Sequence, residues 1–182
     1  MKIKSTYIEG VKIIEPDVFY DERGSFFESF NVKKLAMLGF NEIFVQENQS
    51  YSVQNVIRGL HYQIGENAQG KLARVLYGKV LDVAVDLRYN SKTFGKYFSI
   101  ELSLENKLQF WIPPGFAHGL SVLSKEAVFV YKCTKPFSKS DERSIRFNDP
   151  DLQIDWKISN PIVADKDKNA LSFKENIIEL TK

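Results

Sequence analysis

The sequence predicts an all-β fold, a sandwich or barrel of short antiparallel strands, on three observations. Its 14 Phe and 8 Tyr are scattered through short alternating segments instead of gathering on helical stripes. Turn signals recur about every ten residues, the spacing of a sandwich or barrel. No helical pattern separates successive strands, as a parallel sheet would require.

The elements follow in order. Val32–Leu38 reads as the one interior helix, with Asn31 as its N-cap and Gly39 as its stop. Leu72–Tyr77 and Val80–Arg88 read as strands joined by Gly78-Lys79. Further strands are predicted at Tyr97–Leu102, Leu108–Ile112, Leu120–Leu123 and Ala127–Thr134. Along Val80–Arg88, Leu81, Val83, Val85 and Leu87 share one face, while Val80, Asp82, Ala84 and Asp86 share the other. The mixed face suggests a lined cavity. The apolar face needs a cover, for which a second sheet from another subunit is the expectation, and hence a homodimer.

The 182 residues suit a single domain spanning 1–182, with no repeat or linker to divide it. Twenty-five basic against 23 acidic residues leave a net charge of +2, too weak a field to suggest nucleic acid or a membrane surface as partner. The lysines near Met1 precede no apolar run, and no stretch has a membrane helix's length of apolar residues. A cytoplasmic protein is expected. The lone Cys133 fits a reducing compartment and reads as a small buried hydrophobe.

Chemistry is concentrated around two histidines, His61 in Arg58-Gly59-Leu60-His61-Tyr62-Gln63 and His118 after Pro113-Pro114-Gly115-Phe116-Ala117. The Pro-x-Gly-x-x-His turn resembles the second half of the cupin signature. Metal-binding cupins carry a His-x-His pair in the first half, whereas here the pair is His61-x-Gln63. Zinc and iron sites want several imidazole or carboxylate ligands converging at about 2.0–2.2 Å. A barrel without metal or other cofactor is therefore expected.

Seven ordered motifs make the resemblance specific: Asp21-Glu22-Arg23-Gly24, Phe44-Val45-Gln46-Glu47-Asn48, Arg58-Gly59-Leu60-His61, Gly70-Lys71-Leu72, Leu81-Asp82-Val83-Ala84-Val85-Asp86, Gly115-Phe116-Ala117-His118-Gly119 and Tyr131-Lys132-Cys133-Thr134. Asn148-Asp149-Pro150, Ile154-Asp155-Trp156 and Asp165-Lys166-Asp167 continue the match. Together they resemble the dTDP-4-dehydrorhamnose 3,5-epimerase family. The resemblance implies a cupin-like jelly-roll β-barrel with one short helix in the N-terminal half and a few short C-terminal helical turns. It also implies a metal-free homodimer acting on a nucleotide sugar.

Epimerisation at C3 and C5 beside a C4 ketone needs a base on one face of the ring and an acid on the other. By resemblance His61 is the base, a suitable one because a neutral imidazole accepts a proton near pH 7. Asp167 would fix its tautomer and stabilise the imidazolium. Tyr131 matches the family's acid, and Lys71 its cation for the enolate oxygen. Asp82 is a further catalytic candidate. Arg23, Arg58 and His118 match positions that contact the nucleotide sugar, guanidinium forks suiting its diphosphate. Glu28, Gln46, Glu47, Asn48, Glu142 and Lys166, with Lys71, complete the implied substrate contacts.

One conflict is local: strict alternation over Ile57–Gln63 puts Arg58 and His61 on opposite faces, unless Gly59 forms a bulge. Two positions depart from the family pattern. Gln49 stands where a His is usual, and Thr134-Lys135-Pro136-Phe137 replaces a segment with paired tyrosines. The motifs leave open an epimerase acting at C3 alone or C5 alone, or on a GDP- or CDP-linked sugar. A non-catalytic ligand-binding cupin and a metal-dependent cupin enzyme are the readings outside that class.

Overall fold

The structure, a computed structural model, describes residues 1–180. The last two positions of the domain expected over 1–182 lie outside the described residues. The chain begins with β1 (Lys2–Ser5), β2 (Lys12–Glu15), β3 (Val18–Asp21), β4 (Gly24–Phe27) and helix α1 (Val32–Met37). Next come β5 (Gln46–Val53), β6 (Val56–Gln63), β7 (Lys71–Tyr77), β8 (Lys79–Asp86) and β9 (Tyr97–Ser103). Then follow β10 (Gln109–Ile112), β11 (Phe116–Val122), β12 (Glu126–Cys133) and β13 (Glu142–Ser144). The short β14 (Ile162–Val163) and helices α2 (Asp165–Lys168) and α3 (Phe173–Leu180) finish the chain.

Two sheets face each other as the walls of a jelly-roll barrel, in the orders β1-β2-β10-β7-β12-β5 and β13-β6-β11-β8-β9. β3 and β4 form a separate hairpin, and β14 runs parallel to β6. The α1 cap is as the sequence predicts: the Asn31 side chain accepts from the Lys34 backbone N–H at 3.1 Å, and Gly39 ends the turn at φ +77°. The helix buries Leu35 beside Phe40, Trp111 and Leu72. The strand predicted over Leu120–Leu123 begins earlier, at Phe116, so that His118 sits within β11 and not in the turn before it.

β8 is buried on both faces, and its alternation divides the core. Val80 and Ala84 point between the sheets with Phe110, Ile112, Val122 and Phe129. Leu81, Val83, Val85 and Leu87 point the other way, into a cluster with Ile145, Leu152, Trp156, Val163 and Phe173. This corrects one expectation. The apolar face is covered by the chain's own C-terminal segment, because that segment supplies enough large apolar side chains to close it without a second subunit. Each large apolar side chain so buried contributes about 1.5–3 kcal/mol. Polar anchors also fix the cover: Ser121 Oγ donates to the Trp156 carbonyl at 2.7 Å, and Trp156 Nε1 donates to the Phe147 carbonyl at 2.8 Å.

The conflict in β6 is resolved by a bulge. His61 pairs with His118, but Arg58 pairs with Leu120, so three residue steps on β6 match two on β11. Gly59, at φ +127°, takes up the extra residue. A Cβ there would lie 2.5 Å from Gly119 Cα and 2.8 Å from the His118 carbonyl oxygen, so only glycine fits.

Candidate active site

The barrel is dry at one end and polar at the other. The open end holds a cavity with two lobes, about 420 Å³ and about 370 Å³, which share Asn48, His61, Lys71, Tyr131 and Lys166. These volumes suit a small organic ligand.

One wall comes from the sheet containing β6. His61 Nε2 lies 2.7 Å from Asp167 Oδ1, and Asp167 Oδ2 accepts from the Gly59 backbone N–H at 3.3 Å. A carboxylate only accepts, so the imidazole proton resides on Nε2, leaving Nδ1 with its lone pair. Burial works to raise the Asp167 carboxyl, yet the hydrogen bonds from His61 and Gly59 outweigh it and hold the group below its ordinary value. Asp167 is only 2 % exposed, because parallel pairing of β14 on β6 brings α2 over the barrel rim.

The facing wall comes from β5, β7 and β12. Tyr131, opposite Ala73 on β7 and Asn48 on β5, points inward with Phe129 and Cys133. Burial raises the Tyr131 phenol above its usual value, against smaller opposing effects of Asn48 and Arg58, so it stays protonated at neutral pH. Lys71 is 8 % exposed at the foot of this wall, its ammonium 5.7 Å from the Tyr131 ring centre. Burial lowers Lys71 from its usual value, with Cys133, Asp82 and Glu142 acting in the opposite sense.

On the floor, His118 Nε2 lies 2.6 Å from Asp82 Oδ1. Burial lowers His118 more than Asp82 raises it, so the ring is neutral at pH 7. Arg58 stands at the rim, its Nε donating to Ser52 Oγ at 3.0 Å.

The predicted residues divide accordingly. His61, Lys71, Tyr131, Asp167, Asn48, Arg58, His118 and Lys166 line the cavity, and Gln46 and Glu142 line its second lobe. Gln49, the departure from the family pattern, lines the first. Four residues do not reach it. Glu47 lies between inward-facing Gln46 and Asn48, so strand alternation turns it outward to pair with Lys132. Arg23 sits at the β3–β4 turn, with its guanidinium exposed and paired to Asp21. Glu28 is spent on Asn31 and Lys34 at the start of α1. Asp82 lies beneath His118, outside both lobes.

A loop-fixing role of Gln63 was missing from the sequence reading. Its Oε1 accepts from the Ser138 N–H at 2.8 Å, and its Nε2 donates to the carbonyls of Asn67 and Pro136. Gln46 accepts from the Phe137 N–H and Gln69 donates to the Lys135 carbonyl, both at 2.8 Å. Three glutamines thus strap residues 135–138 across the second lobe, with Phe137 in its wall. The signal was the inward register that Gln63 shares with His61, two residues away.

Fold and pocket define a class: a cupin-type isomerase, with an imidazole–carboxylate pair and a phenol on facing walls of one barrel. Residues 5–175 match the family model for dTDP-4-dehydrorhamnose 3,5-epimerase. The chain belongs to that family. It is 52% identical to the dTDP-4-dehydrorhamnose 3,5-epimerase of Shigella flexneri over 174 residues, 95% of this chain and 96% of the relative. The crystal structure of the Elizabethkingia anophelis enzyme of the same name superposes with a TM-score of 0.91 at 54% identity, covering 96% of this chain and 97% of that one. The dTDP-6-deoxy-D-glucose-3,5-epimerase of Legionella pneumophila, solved in complex with dTDP-4-keto-L-rhamnose, gives a TM-score of 0.92 at 49% identity, covering 98% and 96%.

Proposed function

We propose that this chain converts dTDP-4-dehydro-6-deoxy-D-glucose to dTDP-4-dehydro-L-rhamnose by epimerising C3 and C5, a step of dTDP-L-rhamnose biosynthesis. One observation carries the proposal: the His61–Asp167 pair and Tyr131 stand on facing walls of a single cavity. A sugar ring between them has a base on one face and an acid on the other.

In this reading His61 Nδ1 takes the proton next to the ketone while Asp167 stabilises the imidazolium through Nε2. Charge moves to the C4 oxygen, where the Lys71 ammonium stabilises the enolate. Tyr131 then delivers a proton from the opposite face, inverting the carbon; His61 passes its proton to solvent and the Tyr131 phenolate takes one back, and the second carbon follows by the same cycle. Arg58 and Lys166 at the rim supply positive charge for the diphosphate. Among the described residues no cluster of three or more His, Cys, Asp or Glu could hold a metal, and the Gln63 amide is committed to the strap. The chemistry needs only protons.

A homodimer belongs to the same proposal. The β3–β4 hairpin exposes Phe19, Tyr20 and Phe26, and it holds Arg23 away from this chain's own cavity, as a strand pair reaching a second copy would. Among the described residues no helix is long and apolar enough to cross a membrane, and the proposed place of work is the cytoplasm.

The test is incubation with dTDP-4-dehydro-6-deoxy-D-glucose in D₂O, followed by NMR. Both C3 and C5 acquire deuterium; label at only one of them refutes double epimerisation. Tyr131→Phe lowers formation of inverted product by about 10²–10⁴-fold. Unchanged turnover in that variant refutes the acid assignment.

A further inference from the structure

Asp82 is fully buried on β8, lines neither lobe of the cavity and lies beneath His118 of its floor. Its Oδ1 is taken by His118 Nε2 at 2.6 Å, while its Oδ2, also buried, has no hydrogen-bond partner. A carboxylate oxygen left without a donor away from water is costly, so its retention calls for a cation nearby. The complementary shortfall lies on the opposite sheet. The Lys71 ammonium is nearly buried, and among the described residues it makes no hydrogen bond or ion pair, only the approach to the Tyr131 ring.

The groups around Lys71 narrow its source of negative charge. β12 presents Tyr131 and Cys133, β13 Glu142, β6 His61, β11 His118 and β8 Asp82. Tyr131 and Cys133 are both raised by burial and stay neutral. Glu142 is already faced by Lys166 at 3.6 Å and is partly open to solvent. Asp82 alone is fully buried and still has a free oxygen.

We propose that Asp82 is a positioning residue for the reaction, its carboxylate supplying the counter-charge that holds the Lys71 ammonium charged and aimed at the cavity. His118 has a supporting part: by occupying Oδ1 it orients the carboxylate and leaves Oδ2 unpaired, its charge acting on Lys71 through space. The Nε2–H of His118 is thereby spent, and the neutral ring offers Nδ1 as an acceptor for a hydroxyl instead of a cation for diphosphate. This inference rests on the assignment of Lys71 to the enolate oxygen.

The test uses Asp82→Asn, which keeps the shape and removes the charge. Exchange at C3 and C5 is followed from pH 6 to 10 in the full chain. With Asp82 absent, Lys71 loses its proton at lower pH, so the alkaline limb of kcat moves down by about one pH unit, about tenfold in rate on that limb, while KM at pH 7 stays within about threefold. An unmoved limb overturns the proposal. A double-mutant cycle in urea gives a readout independent of turnover. Asp82→Asn lowers the unfolding midpoint more when Lys71 is present than in a Lys71→Met background, where only the weakened His118 bond is felt. Equal losses in both backgrounds overturn the coupling. Lys71→Met exchanging at the wild-type rate would instead refute the enolate assignment, so the two failures are distinct.

Discussion

Asp167→Asn removes one charge and turns one acceptor into a donor, at a residue where both oxygens are in use. Oδ1 faces His61 Nε2 at 2.7 Å and Oδ2 faces the Gly59 N–H at 3.3 Å. An asparagine has two ways to sit. With its carbonyl toward His61, the amide NH₂ meets the Gly59 N–H, and that buried donor is left unpaired at a cost of about 1–3 kcal/mol. With its carbonyl toward Gly59, the NH₂ meets Nε2 and draws the imidazole proton to Nδ1, which silences the base. In either arrangement the imidazolium loses a charge-assisted hydrogen bond, about 2–3 kcal/mol, or roughly 30- to 150-fold in rate. Tautomer exchange adds to that loss. The assay is deuterium incorporation at C3 and C5 in D₂O, followed by NMR with the urea midpoint measured alongside. Exchange at both carbons falls by at least the stated factor, while the fold survives. Wild-type exchange in Asp167→Asn would refute the role of the pair.

Gly59→Ala forces a Cβ to within 2.5 Å of the Gly119 backbone at a φ of +127°, so it costs several times the ~1 kcal/mol of an ordinary substitution, and urea unfolding reads the loss. A midpoint equal to wild type would show that the bulge is not needed. Asp86 is held down to about 2 from 3.8: burial pushes it up, but Arg88, Ser91 and Thr93 hydrogen bonds prevail. Because its folded value is depressed, the stability it contributes, about 2 kcal/mol, is present above pH 4 and lost as pH falls from about 4 to 2. Asp86→Asn flattens that part of the stability–pH curve, and an unchanged curve counts against the network.

Some of this was legible in the sequence for a physical reason, and some was not. β7, β8 and β12 announce themselves because their apolar alternation reports burial. β5 is silent because its inward residues Gln46, Asn48 and Ser50 line the polar cavity, so the apolar alternation that marks a half-buried strand is missing. β1 to β4 are four residues each, too short for a period to register. Within the site, motif order brought His61, Lys71, Tyr131 and Asp167 together, and all four line one cavity. Alternation alone would have separated Arg58 from His61, and the bulge that joins them depends on how closely β6 and β11 approach at Gly59. The chain's own cover of β8 is not legible because the C-terminal stretch shows no strong periodicity: it lies across the sheet mostly as irregular chain, anchored by a few large residues such as Trp156 and Leu152.

That C-terminal stretch has a temporal meaning. The same length of chain that seals the outer face of β8 also carries Asp167 to His61, and it leaves the ribosome after every strand of both facing walls. One continuous segment therefore supplies both the hydrophobic seal of β8 and the carboxylate that orients the base.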